Sequence, residues 1–456
     1  MQFIFFLTLK HIPVYMLKNI FIIFCALIIS VCCYSQDTFK IIGGQESYSM
    51  PFKLINNLIV IPVKVNGSKL NFLFDTGVDN TIMFNLSIED SLKLKNTKTI
   101  RLRGLGEGES MNAIKSTKNQ FRIGKIINGY HMIYLIPGKK FDLSANLGVN
   151  INGIIGGDLF HDFIVDINYT SNRLKFYNPN SYTYKQCKKC QTFDLDFYKN
   201  KPYINLVVQS KDKIKTNVKL LIDSGSSDAL WLFEKSSDKI KIPKKYFTDY
   251  LGKGLSGNIY GKRSKVANLI IGDYIFKDVN VSYPDSSAIG LAYKYKERNG
   301  TLGSGILKRF RTVFDYTNKK ITFDRKSKYY SDPFLYNMSG IELSYSGSML
   351  VREKQSQLDV QGVSQNTTSA VEIVYNYVYA FKQSYQISVI RKDSPAYRAG
   401  LLIGDVILQI NGKPAYNYKL QEIMHMFSYK EGKQIKLLID RDGSIIPFKF
   451  KLEKMF

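Results

Sequence analysis

Two short runs of this chain, Phe74-Asp75-Thr76-Gly77 and Ile222-Asp223-Ser224-Gly225, each set a carboxylate directly after a stretch of β-forming residues. Two carboxylates held at contact distance do not both ionise easily, because like charges raise one of the two pKa values. One shared proton then serves two roles. The ionised member takes a proton from a water held between them, and the protonated member polarises a carbonyl. That chemistry needs no nucleophilic side chain, metal or cofactor, and none is expected. Glycine at 77 and 225 lets the backbone turn beside each carboxylate, while the hydroxyls of Thr76 and Ser224 are placed to tie one loop to the other. A single Asp-Thr-Gly is also an ordinary strand-to-turn sequence whose carboxylate caps its own turn.

The flanking residues show that the two runs belong together. Asn168-Tyr169-Thr170-Ser171-Asn172-Arg173-Leu174-Lys175-Phe176 matches Asp315-Tyr316-Thr317-Asn318-Lys319-Lys320-Ile321-Thr322-Phe323 class by class. Asn152-Gly153-Ile154-Ile155-Gly156 likewise matches Asn299-Gly300-Thr301-Leu302-Gly303. The offset is nearly constant, 148 between the aspartates (223 − 75) and 147 between the tyrosines (316 − 169). A constant offset means one ancestral unit present twice, so both copies should fold alike and pack about a pseudo-two-fold axis. Glycine-spaced segments repeat as well, with Gly104 and Gly106 in the first copy and Gly252 and Gly254 in the second. Gly106 and Gly254 each lie 31 residues past their aspartate (106 − 75 and 254 − 223). This position suits hairpin flaps that grip an extended peptide and exclude water.

The elements that must position the carboxylates are strands. Residues 60–65 and 70–74 read as a hairpin about Asn66-Gly67 that delivers Asp75 at the end of a buried strand, and 203–208 with 218–222 repeat the device for Asp223.

In these residues the chain resembles the aspartic peptidases, and within them a bacterial, retropepsin-like group with two lobes on one chain and a PDZ module behind. The resemblance implies a mainly β fold: two pseudo-symmetric acid-protease-type β-barrel lobes, at 45–180 and 201–327, followed by a PDZ-like α+β domain at 334–456. A linker at 181–200 joins the lobes. It also implies that Asp75 and Asp223 are catalytic, that Thr76, Gly77, Ser224 and Gly225 support them, and that the glycine segments are flaps. The first flap has no tyrosine, while Tyr250 and Tyr260 flank the second, a departure from pepsin toward retropepsins. The implied activity is endoproteolysis of polypeptide by a monomer, since one chain supplies both halves of the site. The alternative is a peptide-binding or scaffolding protein that kept the fold without turnover, against which stand two mutually repelling acids.

The PDZ likeness is carried by Asp393-Ser394-Pro395-Ala396-Tyr397-Arg398-Ala399-Gly400-Leu401 and by Gly404-Asp405-Val406-Ile407-Leu408-Gln409-Ile410-Asn411-Gly412. These read as a capped short helix, a tight turn and a strand running into an Asn-Gly turn. Residues 418–427 then read as the groove helix and 434–440 as a late strand. Gly340, Ile341, Glu342 and Leu343 are the expected loop for a peptide C-terminus or extended segment, bound through backbone N–H groups. An insertion is expected near 346–383.

Residues 1–35 read as an export signal, with Lys18 before an apolar core at 20–31 and small residues at Cys33-Tyr34-Ser35. An uncleaved anchor is the other reading, and only that one brings a membrane contact. The mature protein is expected in the periplasm, in the cell envelope or outside the cell. Three of the five cysteines fall in this segment, leaving Cys187 and Cys190 to close a small disulfide loop between the lobes. The net charge of +26 is spread along the chain without a recognition motif, so nucleic acid is not an expected partner. His11, His131, His161 and His425 are scattered and read as surface or filler residues. Trp231 reads as a core or cleft-wall aromatic.

Overall fold

The computed structural model of the chain describes residues 37–87, 92–138, 141–184, 187–360 and 371–456. The expected export segment lies outside the described residues.

In the first lobe, strands Leu58–Val65 and Ser68–Phe74 form a hairpin whose two turn residues, Asn66 and Gly67, both have positive φ. A right-twisted two-residue hairpin turn demands this backbone, which explains the Asn-Gly pair. Strand Gly153–Ile155 runs parallel to Ser68–Phe74 and antiparallel to Thr81–Met83, enclosing the loop at Asp75. Met111–Ile123 pairs with both Leu58–Val65 and Ile126–Leu135, so the nine-stranded sheet closes on itself. Closure removes the sheet edges that would otherwise invite pairing with other chains.

The second lobe repeats this plan in eight strands. Lys201–Gln209 and Lys215–Asp223 form the hairpin, and Gly300–Gly303 lies parallel to Lys215–Asp223 and antiparallel to Leu230–Leu232. Gly257–Ile271 closes the sheet by pairing with both Lys201–Gln209 and Tyr274–Pro284.

A six-stranded sheet joins the lobes, built from the two hairpins that the sequence repeat marked. Ile164–Asn168 pairs antiparallel with Arg311–Asp315, and Asp166 stands opposite Val313. Those residues are 147 apart, each the other's repeat counterpart, so the pseudo-two-fold axis passes through this pair. Arg311 clamps Asp166 with Nε at 2.9 Å and Nη2 at 2.5 Å. One apolar core runs through both lobes, with Phe74, Phe160, Phe176, Phe314 and Tyr316 at the junction.

The third unit has its own core, including Leu401, Ile407, Ile410, Ile423 and Phe427. Its sheet runs in the order Ile341–Val360, Val371–Ile390, Val406–Ile410, Gln434–Arg441, Ser444–Lys451. Ser394 caps helix Pro395–Arg398 by accepting the Tyr397 N–H, and Leu420–Met426 forms the second helix. Within the expected insertion, the described residues continue the first two strands as a hairpin arm. Tyr385 and Gln386 pair its second strand with Val406–Ile410, and Leu350, Tyr379 and Phe381 on the arm are exposed. Residues 361–370 of that stretch lie outside the described residues.

Candidate active site

The two strand ends bring Asp75 and Asp223 together, each carboxylate lying against the other loop's glycine. The loops behind them exchange four hydrogen bonds. The Thr76 N–H donates to Ser224 Oγ at 3.0 Å and the Ser224 N–H to Thr76 Oγ1 at 2.9 Å. Thr76 Oγ1 donates to Ile222 O at 2.8 Å and Ser224 Oγ to Phe74 O at 2.9 Å. Each hydroxyl therefore both donates and accepts across the lobe junction, which fixes the two carboxylates relative to each other. The Gly77 N–H donates to Asp75 Oδ1 at 2.6 Å, and the Gly225 N–H to Asp223 Oδ1 at 3.0 Å.

The glycines that end the matching triplets have a geometric cause. A Cβ on Gly156 would stand 1.6 Å from the Asp75 carbonyl oxygen, and one on Gly303 would stand 2.3 Å from the Asp228 carbonyl oxygen. Only hydrogen fits where these strands pass the two loops.

Asp75 is 8% exposed. Burial and the neighbouring Asp223 charge hold its carboxyl well above the usual carboxylate range, against the opposing pull of the Gly77 N–H and of Lys201. Arg298, overlooked in the sequence, is buried with its guanidinium bonded to Gly300 O and Thr301 Oγ1, within electrostatic reach of Asp223. Its repeat counterpart is Ile151 (298 − 147), so a charge in one copy opposite an apolar residue in the other was the available signal.

The two glycine segments close on each other. The Ser256 N–H donates to Leu105 O at 2.9 Å, the Gly108 N–H to Ser256 O at 2.6 Å and the Gly104 N–H to Ser256 Oγ at 3.0 Å. A Cβ on Gly254 would lie 2.2 Å from Leu105 O, and one on Gly106 would lie 2.6 Å from the Gly257 backbone. The repeated glycine spacing thus reflects backbone meeting backbone across the lobe junction, with Gly104, Gly106 and Gly254 at the contact. Gly252, at φ +146° with open space beside it, sits at the bulge in the second hairpin. Beneath the clasp lies a cavity of about 330 Å³ that includes Asp223, Gly225, Trp231, Leu105 and Gly254 in its lining.

Trp231 is 7% exposed and donates Nε1–H to Asp228 Oδ2 at 2.7 Å. Arg263 and Ser282 also bond Asp228, which fixes that wall of the cavity. Cys187 and Cys190 are joined by a disulfide beside the inter-lobe sheet.

Two expectations need correcting. His131 is no filler: it is 1% exposed, with Nε2 2.8 Å from Thr81 Oγ1 and its ring between the carboxylates of Asp37 and Asp158. His161 and His425 are exposed, and His11 lies outside the described residues. The segment Gly340–Leu343 is not an open carboxylate loop. Asn337 Oδ1 accepts the Gly340 N–H at 3.3 Å, and Ser339 Oγ accepts the Ile341 N–H at 3.2 Å. Ile341 and Leu343 are buried, and Glu342 and Leu343 face the cavity beside Asp223.

Residues 61–159, which include Asp75, match the family model of an aspartyl protease, and residues 386–441 match that of a PDZ domain. Among solved structures, the crystal structure of an aspartic proteinase from Irpex lacteus aligns with a TM-score of 0.40 and 14% identity, over 63% of this chain and 99% of that one. No curated protein matches the chain. The chain carries an aspartyl protease domain followed by a PDZ domain, the make-up of a peptidase with a PDZ module. The family match reaches only the first lobe; the second joins it through the internal repeat.

Proposed function

We propose that this protein is an exported aspartic endopeptidase that hydrolyses peptide bonds with a water activated between Asp75 and Asp223. The reading is carried by the reciprocal Thr76–Ser224 hydrogen bonds, which aim two carboxylates at one point under a pair of closed flaps. The pair holds one proton, with Asp75 the member whose pKa burial raises. The ionised carboxylate takes a proton from water as its oxygen attacks the carbonyl carbon. The protonated carboxyl gives its proton to the carbonyl oxygen, leaving a neutral tetrahedral diol. The carboxyl that now carries the water's proton gives it to the amide nitrogen while the other carboxylate takes a proton from one diol hydroxyl; the C–N bond breaks, acid and amine leave, and the dyad is again singly protonated. The flap backbone excludes water from this step and must part to admit a chain. The Cys187–Cys190 disulfide supports a location outside the cytoplasm. Digestion of an unstructured protein such as casein, followed from acid to neutral pH, tests the reading. Cleavage within the chain that is lost in Asp75→Asn and in Asp223→Asn is expected, and absence of cleavage at every pH overturns it.

A further inference from the structure

The PDZ unit is packed onto both lobes. On the second lobe, strand Phe247–Gly254 carries the contact. Phe247 meets Phe456 at 5.3 Å and Tyr336 at 5.5 Å between ring centres, and the Arg391 guanidinium lies over its ring at 4.3 Å. Asp249 on the same strand accepts from Arg263 Nε at 2.8 Å and pairs with Arg391 Nη1 at 3.5 Å. Arg391 is 7% exposed, so the pair is held away from water and one geometry is favoured.

On the first lobe, helix Ser144–Leu147 lies against strand Ile341–Val360. Gln421 Nε2 donates to Leu147 O at 2.6 Å, and a Cβ on Gly148 would stand 3.0 Å from Leu420 Cβ. Segment 143–148 therefore touches both the strand and the helix that flank a PDZ groove. With the N–H groups of Gly340 and Ile341 already bonded inside the unit, the surfaces that a peptide C-terminus would use are engaged within the molecule.

The strand that lost its groove has gained the cleft. We propose that the PDZ unit is a wall of the substrate cleft, and that Leu343 and Glu342, with Leu147 and Tyr250, form a subsite that takes an uncharged, apolar side chain of the polypeptide. The proposal takes its substrate from the peptidase reading above. These four residues line one cavity with Asp223, and they come from three separate units of the chain. Leu147 and Leu343, 7% and 3% exposed, are core residues whose alkyl carbon lines the cavity wall. Around Glu342 stand Asp249, Arg263, Arg391, Asn337 and Tyr250; burial first, then the Asp249 charge, push its carboxyl up to about 7. It is neutral in the acid range where a singly protonated dyad works. Arg263 is already paired with both Asp228 and Asp249. Lys253, the other cation in the lining, donates to Asp142 O at 3.3 Å. A charged substrate side chain would lose its water against Leu147, Leu343 and the neutral Glu342, whereas an apolar one gains burial there.

The test is a peptide library in which each position near the cleaved bond is varied, presented to the full-length protein and its variants. Leu343→Ala and Leu147→Ala should shift preference toward larger side chains at one and the same substrate position, by about tenfold in relative kcat/KM, with other positions unchanged. Should Leu343→Ala not fold, Leu343→Val, smaller by one methylene, shifts the same position by a smaller factor. Binding of the same peptides to these variants in an Asp75→Asn background gives a second readout that needs no turnover. If the unmutated protein cleaves nothing, the peptidase reading has failed, and a selective binding shift at that one position still upholds the subsite. Folded Leu343 variants whose cleavage and binding profiles both equal those of the parent overturn the proposal, as does the absence of any cleavage and any binding.

Discussion

Gly225 stands against the Asp75 carboxylate so closely that a Cβ there would lie 2.2 Å from Oδ2, while one on Gly77 would stand 2.9 Å from the Asp223 carboxylate. The two glycines hold each other's aspartate in place by being absent, and the tolerance is tighter on the Asp75 side. Gly225→Ala should therefore lower kcat/KM by about 100-fold or more, since a shift near 1 Å in a reacting group costs that much. Gly77→Ala, with more room, should lose less. Equal activity in Gly225→Ala and the parent, with circular dichroism unchanged, would contradict the geometry.

Asp75→Asn and Asp223→Asn should each cost about 100- to 10,000-fold in kcat, with the double variant scarcely worse than either, because the dyad acts as a unit. The two singles should differ in stability. Asp75 has its pKa raised in the folded state, so the folded protein prefers its protonated form. The stability that this protonated group confers is complete below the ordinary carboxylate range and is lost as pH rises toward the raised value. Asp75→Asn removes that loss. Its Tm should exceed that of the parent by more at neutral pH than in acid, which thermal unfolding at the two pH values measures.

Glu342 titrates in the same sense, from an ordinary 4.5 to about 7 in the folded protein. The parent should lose stability as pH rises from about 4.5 through about 7, and Glu342→Gln should flatten that slope while leaving acid stability nearly unchanged. Urea unfolding across the window reads the difference, and parallel curves for parent and variant would show that Glu342 is ionised when docked.

What could be read from the sequence was what the chain states locally or repeats. The dyad, the two lobes and the pseudo-axis were legible because an offset near 147 carries the same residue types twice, and Asn66-Gly67 announced its hairpin by backbone demand alone. The docking of the third unit was not legible. Phe247, Asp249, Arg391 and Phe456 meet from distant stretches with no period to connect them, and burial of a charge pair leaves no mark on either residue's neighbours. His131 failed for the same reason, as Asp37 and Asp158 reach it only after the sheet has closed. The two glycine segments were visible as a spacing, but the cause of that spacing, the backbone of the opposite lobe, belongs to the tertiary fold.

Asp249→Ala tests the docking itself. It leaves Arg391 without its carboxylate partner in a buried setting and takes one of two carboxylates from Arg263, a loss of about 3–5 kcal/mol for a buried pair broken on one side. The PDZ unit, with its own core, should then unfold or detach in a separate, earlier transition during urea titration, seen as faster hydrogen exchange across Gln434–Arg441.

Arg298→Met tests the buried cation beside Asp223. Its first-lobe counterpart is Ile151, so an apolar side chain of similar length matches the repeat and the core should accept it. With the positive charge gone, the ionised member of the dyad loses stabilisation, and more hydroxide is needed to create it. The acid limb of the kcat/KM profile should move to higher pH, and kcat at the most acidic end should fall most. Arg298→Lys, which restores the charge though not the two-armed hold on Gly300 O and Thr301 Oγ1, should return the limb part of the way. A purely structural role would lower activity evenly at all pH values with no shift of the limb, and that outcome would remove Arg298 from the electrostatics of the dyad.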